Sequence, residues 1–157
     1  MTFIERILNR ILDHKVIVNC ERQPYLHRWY LFRTRRVACF IHKFIRSDED
    51  RALHDHPWDF LVIPIWRGYI EHSDRPITPP WFRANPMHPD NRVAVIRRIW
   101  PLISARFRRG EYRHRVELVG GRPAWSIFFR FSERRTWGFW PREGFTAWNK
   151  WWQEKCE

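Results

Sequence analysis

At 157 residues the chain is the size of one domain and long enough to bury a sizeable core. Eleven Trp and twelve Phe supply much of that core and suit strands better than helices, while six Gly against eleven Pro exclude a low-complexity chain. A formal charge of +12 favours anionic partners such as nucleic acid, phosphorylated metabolites, carboxylates or an acidic membrane surface, but the arginines are scattered and form no basic tail.

Over Thr2–His14, the residues Phe3, Ile4, Ile7, Leu8, Ile11 and Leu12 fall on one helical face, and Glu5, Arg6, Asn9, Arg10 and Asp13 on the other. Thr2 fits an N-cap. The expected role of this amphipathic helix is packing on the outside of a sheet, because a polar face that mixes acids with bases suits a lipid surface less well. No apolar run approaches the ~18 residues that cross a bilayer, and charges break up the N-terminal apolar residues too often for a signal peptide. Cys20, Cys39 and Cys156 are odd in number and far apart, with no C-x-x-C, which points to free thiols in a reduced, cytoplasmic setting.

From Tyr25 the apolar period changes to two. Strands are expected over Tyr25–Arg33 and Val37–Arg46, the second with Phe40, His42 and Phe44 on one face. Ser47–Asp50 reads as a polar turn, and Asp59–Tyr69 as a strand in which Pro64 predicts a bulge or an edge position. His72–Asn91 carries Pro76, Pro79, Pro80, Pro86 and Pro89 and is expected to be one long loop, with Trp81, Phe82 and Met87 suited to a lid. Further strands are expected over Arg92–Trp100, Ser104–Phe107, Tyr112–Val119 and Trp125–Phe131, and a short aromatic helix over Ala147–Gln153. The order is helix, many short strands, short helix. It predicts an all-β sandwich or barrel in a single domain, with an N-terminal helix at 1–14, a β-barrel at 25–131 and an aromatic C-terminal segment at 132–157.

The chemistry concentrates in Leu53-His54-Asp55-His56-Pro57-Trp58-Asp59. Histidines at i and i+2 of an extended strand project to one face, where both imidazoles can reach one ion. A first-row metal needs three or four ligands. His114, on a later strand, supplies a third if the two strands face each other across a small barrel, and Asp59 is a candidate fourth.

These residues resemble the cupins, whose first motif runs glycine, five residues, H-x-H, three or four residues, glutamate, six residues, glycine. Here His54-Asp55-His56 gives the H-x-H and Gly68 the closing glycine, while His114 takes the place of the second-motif histidine after Gly110. The chain also resembles uncharacterised bacterial and phage cupin-like proteins that carry H-D-H-P-W, a later H-R and W-G-F-W, present here as His54–Trp58, His114-Arg115 and Trp137–Trp140. It departs from the cupin pattern in three places. Leu61 holds the glutamate position with Asp59 two residues early, the leading glycine is absent, and no P-x-G precedes His114. The resemblance implies a double-stranded β-helix (jelly-roll) barrel and a divalent metal on His54, His56 and His114, with or without Asp59. Fe(II) is the first choice of metal and Zn, Mn or Ni the alternatives. It further implies an Fe(II)-dependent oxygenase or dioxygenase, since a three-histidine set is similar to that of the thiol dioxygenases, and it is compatible with a homodimer. Three neutral imidazoles leave the ion more positive than a carboxylate-bearing set does, which suits a small anionic substrate.

Other residues extend or compete with this reading. Tyr112 and Asp59 are candidate catalytic acids or bases, and Arg97, Arg115 and Arg130 on strands are candidate substrate ligands, since an inward guanidinium requires an anion. His88-Pro89-Asp90 is an H-x-D of the 2-oxoglutarate oxygenase type, set in the Pro-rich loop. His27, His42 and His72 each stand alone and read first as hydrogen-bonded core or surface histidines, with a supporting place beside the site as the alternative for His42. A basic, non-catalytic module for nucleic acid or a phosphorylated ligand is the alternative function, with Trp137, Trp140, Trp148, Trp151 and Trp152 as a base-stacking surface.

Overall fold

Alternation of large apolar and polar residues builds strands throughout the middle of the chain. In the computed structural model, which describes residues 2–48, 52–76 and 92–156, they assemble into two antiparallel sheets of six strands. The elements in chain order are α1 (Phe3–Ile11), β1 (His14–Val18), β2 (Pro24–Arg33), β3 (Ala38–Phe44), β4 (Leu53–His54), β5 (Trp58–Trp66), β6 (Tyr69–Pro76), β7 (Arg92–Ile99), β8 (Arg106–Arg108), β9 (His114–Glu117), β10 (Ala124–Glu133), β11 (Gly138–Trp140), β12 (Thr146–Ala147) and α2 (Trp148–Cys156). One sheet runs β1-β2-β3-β10-β5-β8 and the other β12-β11-β4-β9-β6-β7. This is the all-β sandwich with a helix at either end that the strand pattern predicts, consistent with the jelly roll that the resemblance implies.

Burial follows the period of two. Along β10, Ala124, Ser126 and Phe128 are buried, and along β3, Ala38, Phe40 and His42. The apolar core forms in two parts, one of Ala38, Phe40, Phe60, Val62 and Phe128, the other of Tyr69, Ile99, Val116, Leu118 and Ala124. The buried interior also takes in His42, Glu71, Ser73, His114 and Ser126, a polar set inside an otherwise apolar jelly roll. Polar groups at such depth require partners, and their partners define the site described below.

Several local expectations are revised. β1, β11 and β12 add strands that the periodicity did not separate, β1 because its five residues are mostly exposed and so lack alternation. The strand expected over Asp59–Tyr69 divides at Arg67-Gly68, both with positive φ, and a Cβ on Gly68 would fall 2.0 Å from the Ile99 carbonyl oxygen. The register between β5 and β10 shifts beside Pro64, the bulge that its ring implies, and β8 pairs only with Phe60–Val62, so no ladder bond on that side is missed. The loop expected from His72 begins later, because β6 continues to Pro76 under full pairing with β7. Residues 77–91, with the lid aromatics and the His88/Asp90 pair, lie outside the described residues. Cys39 is a free buried thiol, but Cys20 is disulfide-bonded, where a free thiol is expected from the sequence.

The N-terminal helix corrects another expectation. It starts on a capping box between Thr2 and Glu5 and lies outside the first sheet, but it docks through one edge of its polar side, with Leu8 and Leu12 half-buried. Glu5 is buried on Lys43, and Asn9 accepts a 2.6 Å bond from Trp29 Nε1, while Phe3, Ile4, Ile7 and Ile11 are exposed. The outer face beneath it is itself aromatic and basic, since Trp29 stacks on Trp125 and His14 and Lys43 lies over Trp125. That surface offers partners for a carboxylate and an amide, and the helix turns them towards it.

Candidate metal centre

β4 and β9 meet at one register point, where His54 pairs with His114. β4 ends at His54, and the His56 ring just beyond it comes to 5.1 Å from the His54 ring. The ring centroids of His54, His56 and His114 lie 4.9 to 5.2 Å apart, and one nitrogen from each falls within 4.8 Å of the other two. His56 Nε2 and His114 Nε2 are 2.9 Å apart. Two donors at right angles on an ion at about 2.1 Å would be separated by about 3 Å, so the spacing fits a shared first-row metal.

Protonation favours the same reading. Burial pushes the His54 imidazole down to about 4, against the nearby Asp48 carboxylate, which raises it. Burial drives His56 well below the usual histidine range, and the proximity of His54, His114, Arg28 and His42 adds to the effect. Both rings are therefore neutral at pH 7, the state in which imidazole ligates a metal.

Glu71 orients the third histidine. It is 2 % exposed, stands across from the buried Val116 in the β6–β9 register, and its Oε1 lies 3.2 Å from His114 Nδ1. If Nδ1–H is donated to that carboxylate, Nε2 keeps its lone pair for the ion. Burial raises the Glu71 carboxyl, but the bonds from His114 and Tyr112, with Arg108 nearby, outweigh it and leave the group below the usual carboxylate range. Tyr112 OH donates to Glu71 Oε2 at 2.9 Å, and Arg108 lies over the Tyr112 ring.

Asp55 does for the other strand what Glu71 does for His114. By alternation it points away from its two histidine neighbours, and it is fully buried. Its carboxylate accepts bonds from Arg135 Nη1 (2.7 Å), Gly138 N (2.8 Å) and Trp140 Nε1 (3.0 Å), while Asp55 N donates to the Gly138 carbonyl. The H-D-H and W-G-F-W stretches are thus bound to each other through one side chain. Behind them α2 completes the support, with Trp151 stacked on Phe139 and Trp148 on Trp137. Trp137, Trp148 and Trp151 are thus engaged in packing α2 on β11 and its flank, and not free as a base-stacking surface.

The remaining candidates are distributed as follows. Asp59 accepts from Gly110 N (3.0 Å) with Oδ1 and pairs with Arg134 through Oδ2 (3.3 Å), so both oxygens are engaged away from the three-histidine group. Gly110 in turn receives His56 N–H on its carbonyl, and a Cβ there would lie 2.8 Å from the His56 oxygen. Asp59 thereby holds the turn before β9 against the histidine strand. Arg130 is half-buried over the Trp58 ring at 5.5 Å, in the same alternation as Phe128. Arg115 pairs across from His72, on the face opposite His114. Arg97 is exposed, opposite Glu71 in the β6–β7 register. His72 pairs with Glu117, and His27 with His14, both away from the centre. His42 is buried, accepts from Arg28 Nε at 2.9 Å and is held well below the usual range by burial and by Arg28.

No protein-family model and no curated protein matches the chain. Among solved structures it is similar to Fe(II)-HppE with the alternative substrate (S)-1-HPP, at 14 % identity and a TM-score of 0.53 over 78 % of this chain and 57 % of that one. It is similar also to Streptomyces albus HEPD with 2-hydroxyethylphosphonate and Fe(II) bound (11 %, TM-score 0.54, 79 % and 25 %) and to the DMSP lyase DddQ from Ruegeria pomeroyi DSS-3 (11 %, TM-score 0.50, 81 % and 59 %). The chain spans between a quarter and three fifths of the length of these three proteins, and at such identities the likeness is one of fold.

Proposed function

We propose, from the premise that this chain has the cupin fold, that it is a metal-dependent enzyme, an Fe(II) oxygenase or dioxygenase of a small anionic substrate. The observation that carries the reading is the convergence of three histidines, two of them held neutral, on one point between the sheets. When bound there, Fe(II) would supply redox chemistry with dioxygen. His54, His56 and His114 would hold it. Glu71 keeps the His114 tautomer, Tyr112 braces Glu71 through its own proton, and Asp55 and Asp59 fix the two chain segments that carry the ligands.

The anionic substrate is favoured by the partly buried guanidiniums on β2, β10 and the edge strand β8. Arg28 on β2 is held below the usual guanidinium range, by burial first and also by Arg130 on β10. Arg106 Nε and Arg108 Nε are buried without a hydrogen-bond partner. Arg108 has Glu71 as a carboxylate partner at 3.6 Å, so the guanidinium groups of Arg28 and Arg106 are the ones an oxyanion would stabilise. The inward turn of Arg28, Arg106 and Arg108 also means that part of the +12 charge is not on the outer surface, which weakens the case for a nucleic-acid module.

Elemental analysis of the purified protein beside a His54→Ala/His114→Ala variant tests the centre. Stoichiometric metal in the first and none in the second is expected, and equal loading in both would overturn it. Oxygen uptake by the iron-loaded protein, scanned over small phosphonates, carboxylates and thiols, then tests the reaction class. Uptake unchanged by every anion would remove the oxygenase assignment.

A further inference from the structure

We propose that the outer face of α1 is a docking surface for an anionic lipid bilayer, on which the protein lies peripherally. Among the described residues nothing covers Phe3, Ile4, Ile7 and Ile11, which are 71 %, 61 %, 43 % and 68 % exposed. Helices on globular proteins normally bury this stripe. Here the helix is anchored by the opposite side, through Glu5 on Lys43 and Asn9 on Trp29, so the apolar stripe is held facing outward. Val16 and Val18 on the neighbouring edge strand β1 are exposed as well.

Area and charge together select the occupant. The four side chains present on the order of 400 Å² of apolar surface, the size at which a patch marks an interaction site. That is about half of the ~800 Å² per partner that a stable protein interface needs, but it suits shallow insertion of one helix face into the headgroup region. The charges beside the stripe are those of an anion-seeking surface. Glu5, the acid that made the helix look mixed in sequence, is turned inward and paired. Arg6, Arg10 and Lys15 remain exposed, with Asp13 as the exposed acid among residues 2–18. A second copy docked by twofold symmetry would set these cations against themselves, whereas anionic headgroups complement them and the net charge of +12. No helix of the described chain is long and apolar enough to cross a membrane, so the contact is with one leaflet.

Co-sedimentation of the full chain with vesicles tests this, using phosphatidylcholine alone and phosphatidylcholine with phosphatidylglycerol. The wild type is expected to partition onto the anionic vesicles and not onto the neutral ones. Ile4→Gln/Ile7→Gln/Ile11→Gln is expected to lower the partition coefficient at least tenfold with circular dichroism and thermal midpoint unchanged, since these side chains are already in solvent. Arg6→Gln/Arg10→Gln should weaken binding and flatten its salt dependence. Three results would overturn the proposal: no binding to the anionic vesicles, equal binding by the triple glutamine variant, or a dimer in light scattering that the same variant turns into a monomer. The second would reduce the effect to bulk charge, and the third would give the face to another copy of the chain.

Discussion

Two regions of this molecule break the usual pattern in opposite directions. Between the sheets, His54, Asp55, Glu71 and His114 sit where a jelly roll normally places aliphatic side chains. On α1, Phe3, Ile4, Ile7 and Ile11 sit where a surface normally places charge. The difference lies in how each departure is supported. The inner carboxylates are tied from several directions, Asp55 by three donors from 135–140 and Glu71 by His114 and Tyr112 with Arg108 alongside. The helix is held to the sheet by few polar links, chiefly one ion pair and one indole–amide bond. Dense support fixes geometry, as a ligand set requires, while sparse support leaves an element free to exchange one environment for another.

If that contrast is right, the largest effect should come from the inner network. Asp55→Ala leaves the Arg135 guanidinium, the Gly138 amide and the Trp140 indole without their buried acceptor, and unlinks the C-terminal segment from the histidine strand. A loss of about 3–5 kcal/mol in urea unfolding is expected, with metal stoichiometry falling in parallel. A loss under about 1 kcal/mol would mean that the clamp is not a clamp, and the inner region would be no better held than α1. Glu71→Gln is the milder probe. The amide keeps the shape but not the charge, so the fold should persist while metal affinity, measured by chelator competition, weakens about 10- to 100-fold. Unchanged affinity would detach Glu71 from the centre.

The same contrast explains what the sequence could and could not disclose. His54 and His56 are legible because an i, i+2 pair on a strand is a local fact, and His114 because it stands on an apolar alternation of its own. Glu71 is silent in sequence. It lies just past Gly68, next to a stretch whose prolines suggest loop, and only the β6–β9 pairing brings it to His114. Its one available signal is the alternation Tyr69, Glu71, Ser73, all buried. Asp55 was visible inside H-D-H, but its bond to Gly138 crosses 83 residues and no local pattern reports such a distance. Asp59 is a candidate ligand in sequence only by its count from His56. Its actual partners, Gly110 and Arg134, depend on how two turns approach. For α1 the periodicity found the helix and its faces correctly but not which face docks. That depends on what the sheet offers beneath it, here Trp29 and Lys43 and not an aliphatic surface.

The smallest effect should come from the helix anchor, and its pH dependence has a definite sign. Burial raises the Glu5 carboxyl, but the Lys43 ammonium and the bonds from Thr2 outweigh it and bring the group from its ordinary 4.5 down to about 2. A carboxyl depressed in the folded state contributes stability that is complete above its unfolded value and lost as pH falls through the folded one. The anchoring of α1 should therefore be constant at neutral pH, weaken below about 4.5 and be gone near 2. Hydrogen exchange of the residue 5–11 amides, corrected for intrinsic rates, would show this as protection that declines across that window while β10 stays protected. Glu5→Gln is the discriminating variant. Glutamine preserves the capping box at the N-terminus but cannot hold Lys43 as a charge does. Protection should drop by about 1–2 kcal/mol at pH 7 and lose its acid dependence. If β10 exchanged in step with α1, the helix would be part of the same cooperative unit as the metal centre, and the two regions would differ in pattern but not in how firmly they are held.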